Sequence, residues 1–232
     1  MKKKLYVLGM AVLVAALLAL SGVAQSAMWV GAELGFNMVP NYTVFNVNGH
    51  DIGSSRINAS VIGGMALGYD FVNSGFGAAN YPDWMKYFSF VTDITYNRLV
   101  IEANQHNNSG LATYLPNGSR TNGFAAVWSF LLMAHYGFFP DSEVPSGRVN
   151  PYVALGPGIV FSGFDFNNVR VDATSVALVA EGGVRFMALK NVSIDTAFRY
   201  RWTEPTWSIN NLTVKAVPLD QFSFLVRANY HF

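Results

Sequence analysis

From Met28 to Phe232, apolar side chains recur at every second position, segment after segment. In the last segment Phe222, Phe224, Val226, Ala228, Tyr230 and Phe232 alternate with Gln221, Ser223, Leu225, Arg227, Asn229 and His231. A repeat of two means a strand with two unlike faces. Val192, Ile194, Thr196, Phe198, Tyr200 and Trp202 alternate likewise with Ser193, Asp195, Ala197, Arg199 and Arg201. Val176, Leu178, Ala180, Val184 and Phe186 oppose Ser175, Glu181, Gly183 and Arg185, and Met28, Val30, Ala32, Leu34 and Phe36 oppose Trp29, Gly31, Glu33, Gly35 and Asn37. Segments 59–71, 88–97 and 149–162 repeat the pattern with less contrast. Pro157 has no N–H for a ladder, which predicts a bend or bulge there. The weakest segment is Gly123–Phe139, uncharged but short of the roughly 20 apolar residues of a membrane helix. It reads as a strand with Phe124, Ala126, Trp128, Phe130, Leu132, Ala134, Tyr136 and Phe138 on one face.

The distribution of charge over the two faces decides the solvent. Glu33, Asp93, Glu181, Arg185, Asp195, Arg199 and Arg227 all fall on the polar face, and the other face is apolar and aromatic. A soluble sandwich turns its charges to water. In lipid the preference reverses, because an Arg or Lys on the lipid face costs roughly 2–4 kcal/mol at mid-depth. Composition agrees: charged residues make up 12% and hydrophobic residues 51% of the chain, against roughly 25% charged in a soluble domain. Backbone groups find no water in a bilayer, so the strands must close on themselves. The predicted fold is all-β, a transmembrane antiparallel up-and-down β-barrel over residues 28–232. It has eight strands, or ten if 41–47 or 206–217 adds a hairpin. Aromatics near strand ends (Tyr69, Phe71, Tyr96, Tyr136, Phe138, Tyr200, Trp202, Tyr230) suit interfacial girdles. Outer loops are expected at about 38–56, 105–122, 163–173 and 203–217, and inner turns at about 72–86, 139–148 and 188–191. Asn210-Asn211 is a candidate hairpin tip.

Residues 1–27 read as a secretory signal peptide: Lys2, Lys3 and Lys4, an apolar run from Leu5 to Leu20, then small residues. Ala24, Ser26 and Ala27 each satisfy the cleavage rule, and Ala27 is chosen because the strand pattern starts at Met28. Without the leader, 12 basic and 14 acidic residues remain, a balance unsuited to binding nucleic acid. With no cysteine in the chain, disulfides, thiolate metal sites and thiol nucleophiles are excluded.

The leader and the aromatic final strand (Phe222, Phe224, Tyr230, Phe232) together resemble small bacterial outer-membrane barrels of the OmpA-like and OmpW-like eight-stranded type. The stretch Glu181–Arg201 resembles the penultimate hairpin of such barrels. The resemblance implies a Gram-negative outer membrane as location. Its implied partners are outer-membrane lipid, lipopolysaccharide and, during biogenesis, the barrel assembly machinery. Phe222, Phe224, Tyr230 and Phe232 resemble that machinery's recognition signal. No cell-wall-binding domain is expected after Phe232.

Eight strands leave an interior just wide enough for side chains. The inward charges Glu33, Asp93, Glu181, Arg185, Asp195, Arg199 and Arg227 are therefore expected to pair and fill it rather than line a pore. His50, Asp51 and His106 match no metal-ligand spacing, and His135 and His231 are expected as satisfied interior groups. No local Ser/His/acid cluster for catalysis is visible. No cofactor is expected. The leading expectation is a non-enzymatic surface or binding protein whose long outer loops meet an extracellular ligand or a host surface. The alternatives are a narrow OmpW-like channel for small or hydrophobic solutes and, third, a lipid A-modifying barrel enzyme.

Overall fold

The computed structural model describes residues 28–40, 43–71, 81–102, 120–166, 169–209 and 212–232. The expected leader 1–27 with its candidate cleavage positions Ala24, Ser26 and Ala27, and His106, lie outside the described residues. The strands are β1 Met28–Met38, β2 Thr43–Val47, β3 His50–Ile57, β4 Ser60–Asp70, β5 Phe88–Glu102, β6 Arg120–His135, β7 Val149–Phe166, β8 Val169–Leu189, β9 Val192–Thr203, β10 Thr206–Ile209, β11 Leu212–Val217 and β12 Leu219–His231. Among the described residues a short 3-10 helix, Asp83–Tyr87, precedes β5.

Eight of these strands (β1, β4 to β9 and β12) form a closed antiparallel barrel. Each pairs with the next, and β1 closes on β12 from Trp29↔His231 to Met38↔Phe222. The apolar face of every barrel strand points outward. Leu34, Val61, Ile94, Leu132, Leu155, Leu178, Ile194 and Val226 are exposed on the outer wall. All seven inward charges named above are buried. The weakest segment is strand as far as His135, within β6, and its second face (Val127, Leu131, Met133) packs inside. No helix among the described residues is long and apolar enough to cross a membrane.

The barrel has the eight strands expected, the ten-strand alternative falls, and two further expectations need correction. The hairpins at 43–57 and 206–217 do form, yet they add nothing to the barrel: β11 pairs with β2, making a four-stranded rim sheet β10–β11–β2–β3 joined to the wall at Ile57↔Ile101. The loop expected at 163–173 is strand up to Phe166 and again from Val169. β7 and β8 pair without interruption up to Phe166↔Val169, because alternation continues above the apolar band with charged residues outward. Pro157 causes no bulge; β6–β7 pairing lapses between Ser129↔Gly158 and Leu132↔Leu155 and resumes in the same register. Pro157 is exposed on the outer wall and has no backbone N–H to donate. Ile209 pairs with Leu212, and the tip Asn210-Asn211 lies outside the described residues.

Candidate functional site in the barrel lumen

The lumen is built in layers, because inward residues recur every second position on each strand and register aligns them across strands. At the end where β1 and β12 meet, Trp29 fills the cross-section. It has room because Gly68 stands opposite: a Cβ there would lie 2.0 Å from the indole. The Arg185 guanidinium lies over this ring at 4.5 Å, a cation–π contact strengthened by desolvation. The Trp29 Nε1 donates to Asp70 at 3.3 Å, and Ser89 donates to the same oxygen at 2.6 Å.

The next layer is ionic. Arg199 on β9 donates two parallel bonds to Asp93 on β5 at 3.0 and 2.9 Å and one from Nε to Glu181 on β8 at 2.7 Å. Its Nη1 is 3.7 Å from Glu33 on β1. Arg227 on β12 donates to Glu33 at 2.9 Å and to Glu181 at 3.2 Å, and its Nη1 lies 3.7 Å from Asp195. Tyr152 of β7 adds its hydroxyl to Glu181 at 3.0 Å, and Arg185 holds Asp195 at 3.3 Å. The ion-pairing side chains of this layer are at most 6% exposed. Bidentate Arg–carboxylate geometry is the strongest form of such a pair, and a set of mutual partners is what makes buried charge tolerable. The structure thus brings Glu33, Asp93, Glu181, Arg185, Asp195, Arg199 and Arg227 into one connected cluster.

Further members lie outside that predicted set. Asp70 and Tyr152 join it through the contacts above. Arg201, one layer higher, has no carboxylate partner among the described residues. It donates to Thr95 at 3.0 Å and to Gln221 at 3.4 Å. The inward parity of Arg201 was readable from β9; its partners were not, since they come from strands far off in sequence. Above Arg201 the lumen turns apolar: Leu99, Ile101, Phe164, Val171 and Leu219 are buried with Trp207, Val214 and Ala216 of the rim hairpin. Phe164 and Trp207 meet edge to face at 4.9 Å.

His231 lies inside, with Nε2 3.1 Å from Ser193 Oγ, an adjacency the sequence conceals because it spans β9 and β12. The Ser193 hydroxyl also lies 3.3 Å from Asp195 and accepts from the Asn229 amide at 2.9 Å, so serine, histidine and acid share one buried hydrogen-bonded group at the end of the lumen. His135 departs from expectation: its buried Nε2 has no hydrogen-bond partner among the described residues. His50 and Asp51 belong to β3, and no group of three potential metal ligands occurs among the described residues. On the outer wall, Phe224 and Tyr230 are exposed, and Phe222 and Phe232 are half-buried. Phe222 packs on Tyr200 at 5.1 Å, and Tyr230 meets Phe232 at 5.5 Å.

A sealed eight-stranded wall, greasy outside and ionic within, has its counterpart in a known sequence profile. That of the outer membrane protein beta-barrel domain matches residues 15–232. The chain belongs to this family. It is accordingly a protein of the bacterial outer membrane, and the family's architecture of short periplasmic turns and longer extracellular loops orients it. The rim sheet is extracellular, and the tight turn between β8 and β9 is periplasmic. No protein of curated function matches the sequence. Among solved structures, OprG from Pseudomonas aeruginosa superposes with a TM-score of 0.59 at 11% identity, over 90% of this chain and 98% of that one. Neisserial surface protein A superposes with a TM-score of 0.50 at 14% identity, over 88% and 97%. At these identities the likeness is one of fold.

Proposed function

We propose that this barrel is a non-enzymatic anchor whose lumen is filled by its own ion-paired side chains and whose extracellular rim is the working surface. The observation that carries the reading is the Arg199–Arg227 cluster. Two guanidiniums bind carboxylates from β1, β5, β8 and β9 across the full cross-section. A conduit needs solvated groups that an ion can exchange between, whereas these are desolvated and committed to each other. The filled lumen supports β2–β3 and β10–β11 as a platform for an extracellular ligand or a host surface, loops being where scaffolded proteins carry recognition. The aromatic end of β12 is suited to recognition by the assembly machinery in the same scheme.

Planar-bilayer recording on the purified full chain tests the reading. The expected trace is the bare-bilayer baseline at both polarities. Stable unitary steps that disappear when the lumen is cross-linked shut would overturn it in favour of a narrow channel. An altered lipid A acyl pattern in cells expressing the protein would overturn it in favour of an enzyme.

A further inference from the structure

The outer wall carries a cleft that the lumen does not use. Tyr96 and Arg98 of β5, Phe124 of β6, Gly163 and Asp165 of β7 and Arg170 of β8 line a cavity of about 160 Å³. All six are on the outward parity of their strands. We propose that this cleft binds the phosphorylated sugar headgroup of an outer-leaflet glycolipid.

Height is the first argument. Outward residues of β5 run Phe88, Phe90, Thr92, Ile94 and Tyr96 before the first charge, Arg98. Ten residue steps from Phe88 to Arg98, at about 3.3 Å each and a tilt near 40°, rise roughly 25 Å, which is the height of a barrel's apolar band. Arg98 therefore stands where acyl chains end and headgroups begin. On β8 the outward row likewise passes from Leu178 and Val176 through Thr174 to Asp172 and Arg170.

Chemistry is the second. Among the described residues Arg98 makes no ion pair, and the one ion pair of Arg170 is from its Nε to Asp172, at 3.2 Å. That leaves N–H forks free for phosphate, the oxyanion whose geometry guanidinium matches. The floor is aromatic: Tyr96 and Phe124 stack at 6.0 Å with 17° between planes, and Arg170 lies over Phe124 at 4.8 Å. The electron-rich faces of such rings take the C–H side of a sugar ring. Gly163 makes the recess, since a Cβ there would come within 2.2 Å of Asp172 and 2.7 Å of the Phe124 ring. Asp165 makes the patch mixed rather than simply basic. A carboxylate repels bare phosphate but accepts from hydroxyls, so the group that satisfies the whole cleft carries both.

The inference is independent of whether the lumen conducts, and its test involves no conductance. The full chain is placed in phosphatidylcholine nanodiscs doped with bisphosphorylated lipid A, dephosphorylated lipid A or phosphatidylglycerol. Lipid retained on the protein is then counted by native mass spectrometry. The wild type is expected to retain the bisphosphorylated form about tenfold over the other two, and Arg98→Gln with Arg170→Gln to lose that preference. Arg56→Gln, an exposed arginine outside the cleft, is expected to change nothing. Phe124→Leu keeps every charge, guards against misfolding of the double variant, and is expected to lower retention about threefold. Equal retention of the three lipids by the wild type, or undiminished preference in both cleft variants, would overturn the proposal.

Discussion

Arg199 shows how one residue can hold a barrel's interior together. Its guanidinium answers Asp93 and Glu181 directly and Glu33 at longer range. Removing it leaves carboxylates buried without a counter-charge, a change that costs about 3–5 kcal/mol. Arg199→Met is expected to lower unfolding stability by that amount, read from urea titration in lipid vesicles. Adding Asp93→Leu, which removes the most exclusive partner, should restore at least about 1 kcal/mol; a double variant no better than the single one would show that the pair is not coupled. Asp141 in the periplasmic turn 139–148 offers a pH test. Its carboxyl accepts from the N–H groups of Val144 at 2.7 Å and Glu143 at 2.9 Å and pairs with Arg148. These bonds, the Val144 N–H foremost, hold its pKa below the usual carboxylate value of 3.8. A pKa depressed on folding contributes stability above the unfolded value and loses it as pH falls through the folded one. Hydrogen exchange at the Val144 amide, corrected for intrinsic rate, is therefore expected to accelerate below about pH 4, and Asp141→Asn to be fast and flat across that range.

At the scale of the strand, parity is the quantity the sequence transmits, and depth is the quantity it obscures. Each barrel strand faces as its alternation indicates, even Arg120–His135 with Val127, Leu131 and Met133 inside, because a slip of one residue would put Ser129 into lipid. The upper reaches of β7 and β8 were illegible for the converse reason. Once above the acyl chains, Asp165, Arg170 and Asp172 stand exposed outside the apolar band, so their outward charge mimics a loop. Depth can be tested on a single strand. Leu178, 49% exposed on the lipid face of β8, sits well inside the apolar band. Thr174, on the same face, pairs with Phe161 near the outer interface. Leu178→Arg is expected to cost about 2–4 kcal/mol and Thr174→Arg about 0–1 kcal/mol, read as the fraction migrating in the heat-modifiable, folded form after refolding into vesicles. Equal penalties would mean that the band is placed wrongly along β8.

Across the whole molecule the lumen is closed twice, by different physics. Low down, charges from distant strands neutralise each other. At the mouth, Trp207 of β10 packs on Phe164 within an apolar cluster that continues into Val214 and Ala216. The lower closure was partly legible, since every charge in it is fixed to the inside by parity. The upper one was not, because β11 pairs with β2 over most of the chain's length and short hairpins carry too little alternation to announce a partner. The two closures make opposite claims about what seals the barrel, and Trp207→Ala separates them. Truncating a buried Trp costs about 3–5 kcal/mol, here charged to the seat of the hairpin on the barrel mouth rather than to the wall. The variant is expected to keep heat-modifiable migration, to become sensitive to protease within 206–217, and to remain silent in planar bilayers. Silence follows because the Arg199–Arg227 layer lies below the hairpin, and among the described residues none of its hydrogen bonds or ion pairs involves Trp207. If loosening the hairpin alone opens a conducting state, the seal is the apolar cap, and the ionic layer is permeable beneath it.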